Sequence, residues 1–180
     1  MTDRKLLNIE LERVSAEDYK KLPDSGIVLV LDNIRSAHNV GSAFRTSDAF
    51  KIDKIWLCGI SAVPPSAEIH KSALGAENSV GWEHCDDTLE VVERLKKEGY
   101  EIVSVEQTVN SVSLEDFVPA KDKKYALIFG NEVDGVQQEV VDHSDFALEI
   151  PQFGSKHSLN VSVSMGVVLW HVRYKRTAAL

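Results

Sequence analysis

The side chains of this 180-residue chain that could do chemistry gather in three polar segments, each placed where an apolar run gives way. The first is Asp32-Asn33-Ile34-Arg35-Ser36-Ala37-His38-Asn39-Val40-Gly41-Ser42-Ala43-Phe44-Arg45-Thr46. Asn39 is of a helix-capping type and Gly41 permits close backbone approach. Arg45 follows Asn39 by six positions, so on a helix it lies between one and two turns further in. From there it would face either a loop crevice or an ordinary surface ion pair.

The second segment is Phe129-Gly130-Asn131-Glu132-Val133-Asp134-Gly135. Its glycines stand five apart, as at the start of a phosphate-binding loop. Val136-Gln137 occupies the place of the required Lys-Ser/Thr, which excludes an ATP-type loop, and no Gly-x-Gly-x-x-Gly fingerprint occurs. Glu132, taken alone, reads as a carboxylate at a helix N-terminus. The third segment is Ile150-Pro151-Gln152-Phe153-Gly154-Ser155-Lys156-His157-Ser158-Leu159-Asn160-Val161-Ser162-Val163-Ser164. A strand stops at proline, a polar loop follows, and Ser158 and Asn160 stand at or near a helix start, where capping is the plain explanation. His157 is a lone histidine with no orienting partner visible in the sequence. Ligands of open α/β folds sit in crevices at such strand-to-helix transitions.

The elements that must position these segments alternate between strand and helix. Ser15-Ala16-Glu17-Asp18 resembles a capping box opening a short helix, and Pro23-Asp24-Ser25-Gly26 is a turn. The run Ile27-Val28-Leu29-Val30-Leu31 predicts a strand buried on both faces. Helices are expected over Asn39 to Phe50, Asp87 to Glu98 and Val136 to His143. Further strands are expected over Lys54 to Gly59, Ser79 to Cys85, Tyr100 to Glu106, Tyr125 to Phe129 and Phe146 to Ile150. The pattern predicts an α/β fold: a mainly parallel sheet with helices on both faces, Rossmann-like in topology. One stretch conflicts with itself: Val161, Val163 and Met165 alternate with small residues as in a strand, yet the apolar run to Tyr174 has helical length.

Bulk properties narrow the function classes. The length suits one domain with a sizeable core, and 43% hydrophobic with 27% charged residues is ordinary for a globular protein. No apolar run is long enough to span a bilayer and Met1 to Lys5 opens no signal peptide, so the expected compartment is the cytoplasm with no membrane partner. Cys58 and Cys85 lack zinc-site spacing and read as reduced, mostly buried thiols; no metal is expected. A net charge of −8 counts against a uniformly cationic nucleic-acid binder. A local basic patch remains available from Arg45, Lys51, Lys54, Lys71, Lys123, Lys124, Lys156 and the tail Arg173-Tyr174-Lys175-Arg176.

Taken in order, the three segments resemble the SpoU/TrmH branch of the SPOUT RNA methyltransferases. The matching patterns are Asn39-x-Gly41-x-x-x-Arg45-Thr46, Phe129-Gly130-x-Glu132-x-x-Gly135, and Ile150-Pro151-x-x-Gly154-x-x-x-Ser158-Leu159-Asn160-Val161-Ser162-Val163. The resemblance covers about residues 27 to 175. It implies S-adenosylmethionine as cofactor and methyl transfer to a ribose 2′-hydroxyl of tRNA or rRNA. It also implies a C-terminal deep trefoil knot, which pattern rules would not predict, and a homodimer with the site near the dimer interface. Residues 1–26 would be an N-terminal extension with a short helix and 27–180 the methyltransferase domain. Such an extension is too short for the extra RNA-binding domain of some relatives, and the tail from Tyr174 to Leu180 is short beside those of tRNA D-loop methylases.

Carried over by position, Arg45 would be the central catalytic residue, and Asn39, Glu132, Ser158 and Asn160 would shape and anchor the site. Gly130, Asn131, Ile150, Pro151 and Leu159 would hold the cofactor, with Glu106 at the end of the preceding strand lining the same pocket. Since arginine ordinarily stays protonated, Arg45 is expected mainly to clamp RNA phosphate and ribose. The helix over Ser158 to Tyr174 follows from the resemblance, and an apolar face of Val168, Trp170 and Val172 would suit a dimer. Two other readings stay open: a non-catalytic RNA- or cofactor-binding member of the same fold, and a flavodoxin-like small-molecule binder.

Overall fold

A computed structural model describes residues 3–11 and 14–178. Of the expected N-terminal extension, residues 1, 2, 12 and 13 lie outside the described residues, as do 179 and 180 of the tail. Among the described residues seven strands form one sheet: β1 (Ile27–Asp32), β2 (Lys54–Cys58), β3 (Gly81–Cys85), β4 (Tyr100–Val105), β5 (Val112–Ser113), β6 (Lys124–Gly130) and β7 (Phe146–Glu149). Their order is β3-β2-β1-β6-β4-β7-β5, and every pairing is parallel. Among the described residues six α-helices accompany them: α1 (Ala16–Tyr19), α2 (Ala37–Phe50), α3 (Ala67–Ala73), α4 (Thr88–Lys97), α5 (Gln138–Asp142) and α6 (Val161–Ala178).

The central strands are apolar on both faces because both faces are covered. Ile27, Leu29 and Leu31 of β1 join Leu127 and Phe129 of β6 in a cluster with α2, α3 and α6. Val28 and Val30 join Ala126 and Ile128 in a second cluster, with Val91, Val92 and Leu95 of α4 and Val140 of α5. The expected α/β architecture with helices on both faces is therefore the one found. On α2, a Cβ at Gly41 would stand 2.4 Å from the Ile69 carbonyl oxygen, so only glycine lets α2 and α3 approach this closely.

Several boundaries differ from expectation. Helix α2 begins at Ala37 and its cap is Ser36, whose hydroxyl accepts from the Asn39 N–H at 3.3 Å; Asn39 sits inside the first turn. Helix α5 is shorter than Val136 to His143, and β3 starts only at Gly81. Helix α3 and the two-residue β5 carry signals too short for periodicity to reveal. The expected capping of α1 holds: the Ser15 hydroxyl accepts from the Asp18 N–H. Tyr19 at its end is buried in the main core and donates to the Ser47 and Ile52 carbonyls.

The conflict over residues 161–174 ends in a helix. Val161, Met165, Val168, Leu169 and Val172 recur at helical spacing and are buried. Val163, Val167, Trp170 and Tyr174 form a second apolar stripe that is exposed. Two apolar stripes on one helix produce the false strand-like alternation. The expected exposed face of Val168, Trp170 and Val172 is thereby corrected: Val168 and Val172 lie in the core, and only Trp170 of the three is exposed.

The expectation for the cysteines holds for Cys58, which is buried, while Cys85 is only partly so. Burial pushes the Cys58 thiol up to about 12. Since the thiolate is the reactive form, iodoacetamide at pH 8 should label Cys85 in the native protein and Cys58 only after denaturation. Peptide mapping of both samples checks this, and native labelling of Cys58 would contradict its burial.

Candidate active site

The C-terminal ends of β1, β4, β6 and β7 meet at one edge of the sheet, and the loops leaving them are built around two buried or half-buried carboxylates. Asp32, the last residue of β1, is fully buried. It accepts from the Thr88 hydroxyl at 2.7 Å, the Gln137 N–H at 2.9 Å, the Gln137 amide at 2.7 Å and the Asn33 amide at 2.9 Å. Four donors compensate a carboxylate that would otherwise be very costly to bury. They tie the end of β1 to the starts of α4 and α5.

Glu106 follows β4. Its Oε2 accepts from the Val136 N–H at 3.0 Å and its Oε1 from the Gln107 N–H at 2.9 Å. Between these anchors the 131–135 segment folds back on itself. Asn131 and Gly135 exchange backbone hydrogen bonds at 3.1 Å, and the Asn131 side-chain oxygen accepts from the N–H groups of Val133 and Asp134 at 2.9 Å each. The Asn131 side chain thus shapes its own turn rather than reaching outward. Glu132 lies in this turn and not at a helix N-terminus.

A cavity of about 550 Å³ opens between these loops. Val105, Phe129, Leu148, Ile150 and Leu159 supply apolar walls; Glu106, Glu132, Ser158 and Asn160 supply polar groups. Of the residues expected at the site, Glu106, Gly130, Asn131, Glu132, Ile150, Ser158, Leu159 and Asn160 all line it. Pro151 stands between two lining residues, Ile150 and Gln152, without lining the cavity itself. Gln107, Glu149 and Ser164 also line it and carried no motif signal, though each borders a residue or turn that did. His157 lines the exposed loop side, and among the described residues its ring finds no hydrogen-bond partner.

Side-chain hydrogen bonds join the three polar segments. The Asn39 amide donates to Glu132 Oε1 at 2.5 Å, and the Asn160 amide donates to Asn39 Oδ1 at 3.5 Å. Asn160 also caps α6, accepting from the Ser162 N–H at 2.9 Å. Arg45 does not join this group. It lies about 9 Å along α2 from Asn39 and about 120° around it. There it borders a separate groove with Thr46, Ala49, Phe50, Gly166, Val167 and Trp170. It is exposed and, among the described residues, makes no hydrogen bond or ion pair.

The expected basic patch is only partly present. Lys51 pairs with Asp53, Lys54 with Glu83 and Lys123 with Glu101. Arg176 donates to the carbonyls of Ser25, Lys121 and Lys123, fastening the end of α6 to the sheet's opposite end. Arg45, Lys71 and Lys156 keep unpaired charges among the described residues. Those residues include no cluster able to hold a metal ion and no helix long and apolar enough to cross a membrane.

Known proteins share this fold. The chain is 30% identical over 164 residues to the 23S rRNA (guanosine-2′-O-)-methyltransferase RlmB of Neisseria meningitidis, which covers 91% of this chain and 64% of that protein. It is 29% identical over 172 residues to a tRNA (guanosine(18)-2′-O)-methyltransferase of Aquifex aeolicus, covering 95% and 79%. The AdoMet-bound rRNA methyltransferase of Sinorhizobium meliloti superposes with a TM-score of 0.77 at 24% identity, over 90% of this chain and 60% of that one. The chain thus spans less than two thirds of the length of several proteins it resembles. Residues 26–170 match the SpoU rRNA Methylase family, a span that takes in every strand of the sheet and all three polar segments, and the chain belongs to that family.

Proposed function

We propose that this chain transfers a methyl group from S-adenosylmethionine to a ribose 2′-hydroxyl of tRNA or rRNA. The observation that carries the reading is the hydrogen-bond chain Glu132–Asn39–Asn160, which joins all three motif segments at the rim of one cavity. The relatives named for guanosine 2′-O-methylation support the same chemistry.

The residues present fit an adenosyl cofactor. The cavity has the volume of a small-molecule site. Leu148, Ile150 and Leu159 offer apolar surface to a purine, and backbone groups around Gly130, Ile150 and Leu159 offer polar contacts, with Asn131 holding its loop in shape. Bound there, S-adenosylmethionine supplies an activated methyl on a good leaving group. The protein's task is then alignment of the ribose oxygen and help with its proton. Asn39, Glu132, Ser158 and Asn160 shape the rim against which the ribose would rest, and Arg45 is the catalytic clamp on ribose and phosphate.

Arg45 reaches its target through a homodimer in this reading. The groove of Arg45, Phe50, Val167 and Trp170 is lined mostly by apolar atoms, and the exposed α6 stripe of Val163, Val167, Trp170 and Tyr174 borders it. A contiguous exposed apolar patch of this kind suits an isologous contact. The reading also carries the family's C-terminal trefoil knot, a methyltransferase domain over 27–180 after an extension at 1–26, and a cytoplasmic location.

The test is methyl transfer from labelled S-adenosylmethionine to separated tRNA and rRNA fractions from an unmodified source. Label in one fraction, recovered as an alkali-resistant 2′-O-methyl dinucleotide, is the expected result. Cofactor binding with no label in any fraction would favour the non-catalytic member instead.

A further inference from the structure

Glu106 is placed as a ligand-facing acceptor, beyond its service to the loop. Each of its oxygens accepts one backbone N–H, from Gln107 and from Val136. A carboxylate has about four lone-pair sites, so each oxygen keeps one acceptor direction. The carboxylate borders the cavity. Its position is fixed from three sides: two N–H donors hold it, and Gly135 lies so close that a Cβ there would stand 2.1 Å from Oε2.

Several of the other polar groups are committed or peripheral, although Gln107, Glu149 and Gln152 also line the cavity. Glu132 is engaged by Asn39, the Asn131 oxygen by its own turn, and Asp134 stands exposed at the lip. Beside Glu106 the walls are apolar, Val105, Phe129 and Leu148. A rigid acceptor pair flanked by these apolar side chains, in a cavity whose remaining lining is largely polar, suits a ligand with adjacent hydroxyl donors. Hydroxyls on neighbouring carbons are what a ribose presents and what a purine, a thioether or an amino-acid tail does not.

We propose that Glu106 is the specificity residue for the ribose diol of the adenosyl ligand, accepting a hydrogen bond from its 2′- or 3′-hydroxyl. This rests on the cofactor reading above and names the group that recognises one part of it. The same contact makes the diol report on the loop, because the carboxylate that receives it also holds the Val136 N–H.

The test pairs protein variants with ligand variants. S-adenosylhomocysteine and its 2′-deoxy and 3′-deoxy counterparts are titrated calorimetrically into wild type, Glu106→Gln and Glu106→Ala. In the wild type, loss of the contacted hydroxyl should weaken binding by about tenfold to a hundredfold, the size of a hydrogen bond to a charged group. In Glu106→Ala that penalty should fall to about twofold or less, with Glu106→Gln between. General loosening of the loop affects all three ligands alike and cancels in the ratio. If the deoxy penalties are the same in all three proteins, Glu106 is a loop tie only and the inference fails. If the wild type binds none of the three ligands, the cofactor reading itself fails, and this inference with it.

Discussion

Replacing Arg45 by alanine is expected to lower methyl transfer by about 10²–10³-fold, the usual loss for one preorganised donor at a reacting centre. S-adenosylhomocysteine affinity should stay within about twofold, because Arg45 is not among the residues lining the cavity. Arg45→Lys keeps the charge but not the planar fork, so near-full activity in that variant would argue against a bidentate clamp. The position of Arg45 adds a sharper expectation. It faces the groove beside α6, while Asn39 on the same helix bonds to Glu132 at the cavity rim. If Arg45 acts on the partner's cavity, then mixing inactive Arg45→Ala with inactive Glu132→Ala should restore activity. Random pairing puts half the dimers in hybrid form with one intact site each, about a quarter of wild-type turnover. No recovery after subunit exchange, shown by mass spectrometry, would place the action of Arg45 within its own chain.

The fold was legible wherever a segment was long and one-sided in its demands. Residues 27–31 read as a strand because both faces are apolar, and both prove buried. Residues 87–98 read as an amphipathic helix stopped by Gly99, and the helix found runs over Thr88–Lys97 with Asp87 as its cap and Val91, Val92 and Leu95 buried on one face. Legibility failed where an element answers to two surfaces at once. Helix α6 carries one apolar stripe for its own core and another left exposed, so neither period emerges cleanly. It failed too at the start of α2, where Asn39 has the right side chain for a cap but Ser36 has the right position.

At the site, motif residues marked the loops but not their internal division of labour. Nothing in the order Gly130-Asn131-Glu132 distinguishes a side chain folded into its own turn from one directed at a neighbouring helix. Asp32 carried no motif weight, yet its four hydrogen bonds brace the ground on which the 131–137 segment stands. Its partners Thr88 and Gln137 are far from it in sequence, and pairing of that range depends on the sheet order β2-β1-β6, which local pattern does not encode.

Three of the four motif glycines, Gly130, Gly135 and Gly154, should separate by orders of magnitude although the sequence treats them alike. At Gly130 a Cβ would stand 1.9 Å from the Gly135 carbonyl carbon and 2.0 Å from the Val136 nitrogen. Both are backbone atoms held by the Asn131–Gly135 bridge and by Glu106, so nothing can swing aside. Gly130→Ala should therefore cost about 3 kcal/mol or more in stability, seen as a lowered denaturant midpoint, and should abolish measurable S-adenosylhomocysteine binding. At Gly135 the obstacle is the Glu106 side chain at 2.1 Å, which can move, but φ is +68°. Alanine there should cost about 1–2 kcal/mol from the left-handed backbone and should remove the discrimination between ribose and deoxyribose ligands by displacing Glu106. At Gly154 a Cβ would meet nothing within 4 Å, and the backbone is not left-handed. Gly154→Ala should leave stability within about 0.5 kcal/mol of wild type and ligand affinity unchanged. If Gly154→Ala were instead as damaging as Gly130→Ala, the free space beside the 153–159 loop would have to be filled in the working protein, by substrate or by the second subunit, and the size of that loss would measure how tightly it is covered.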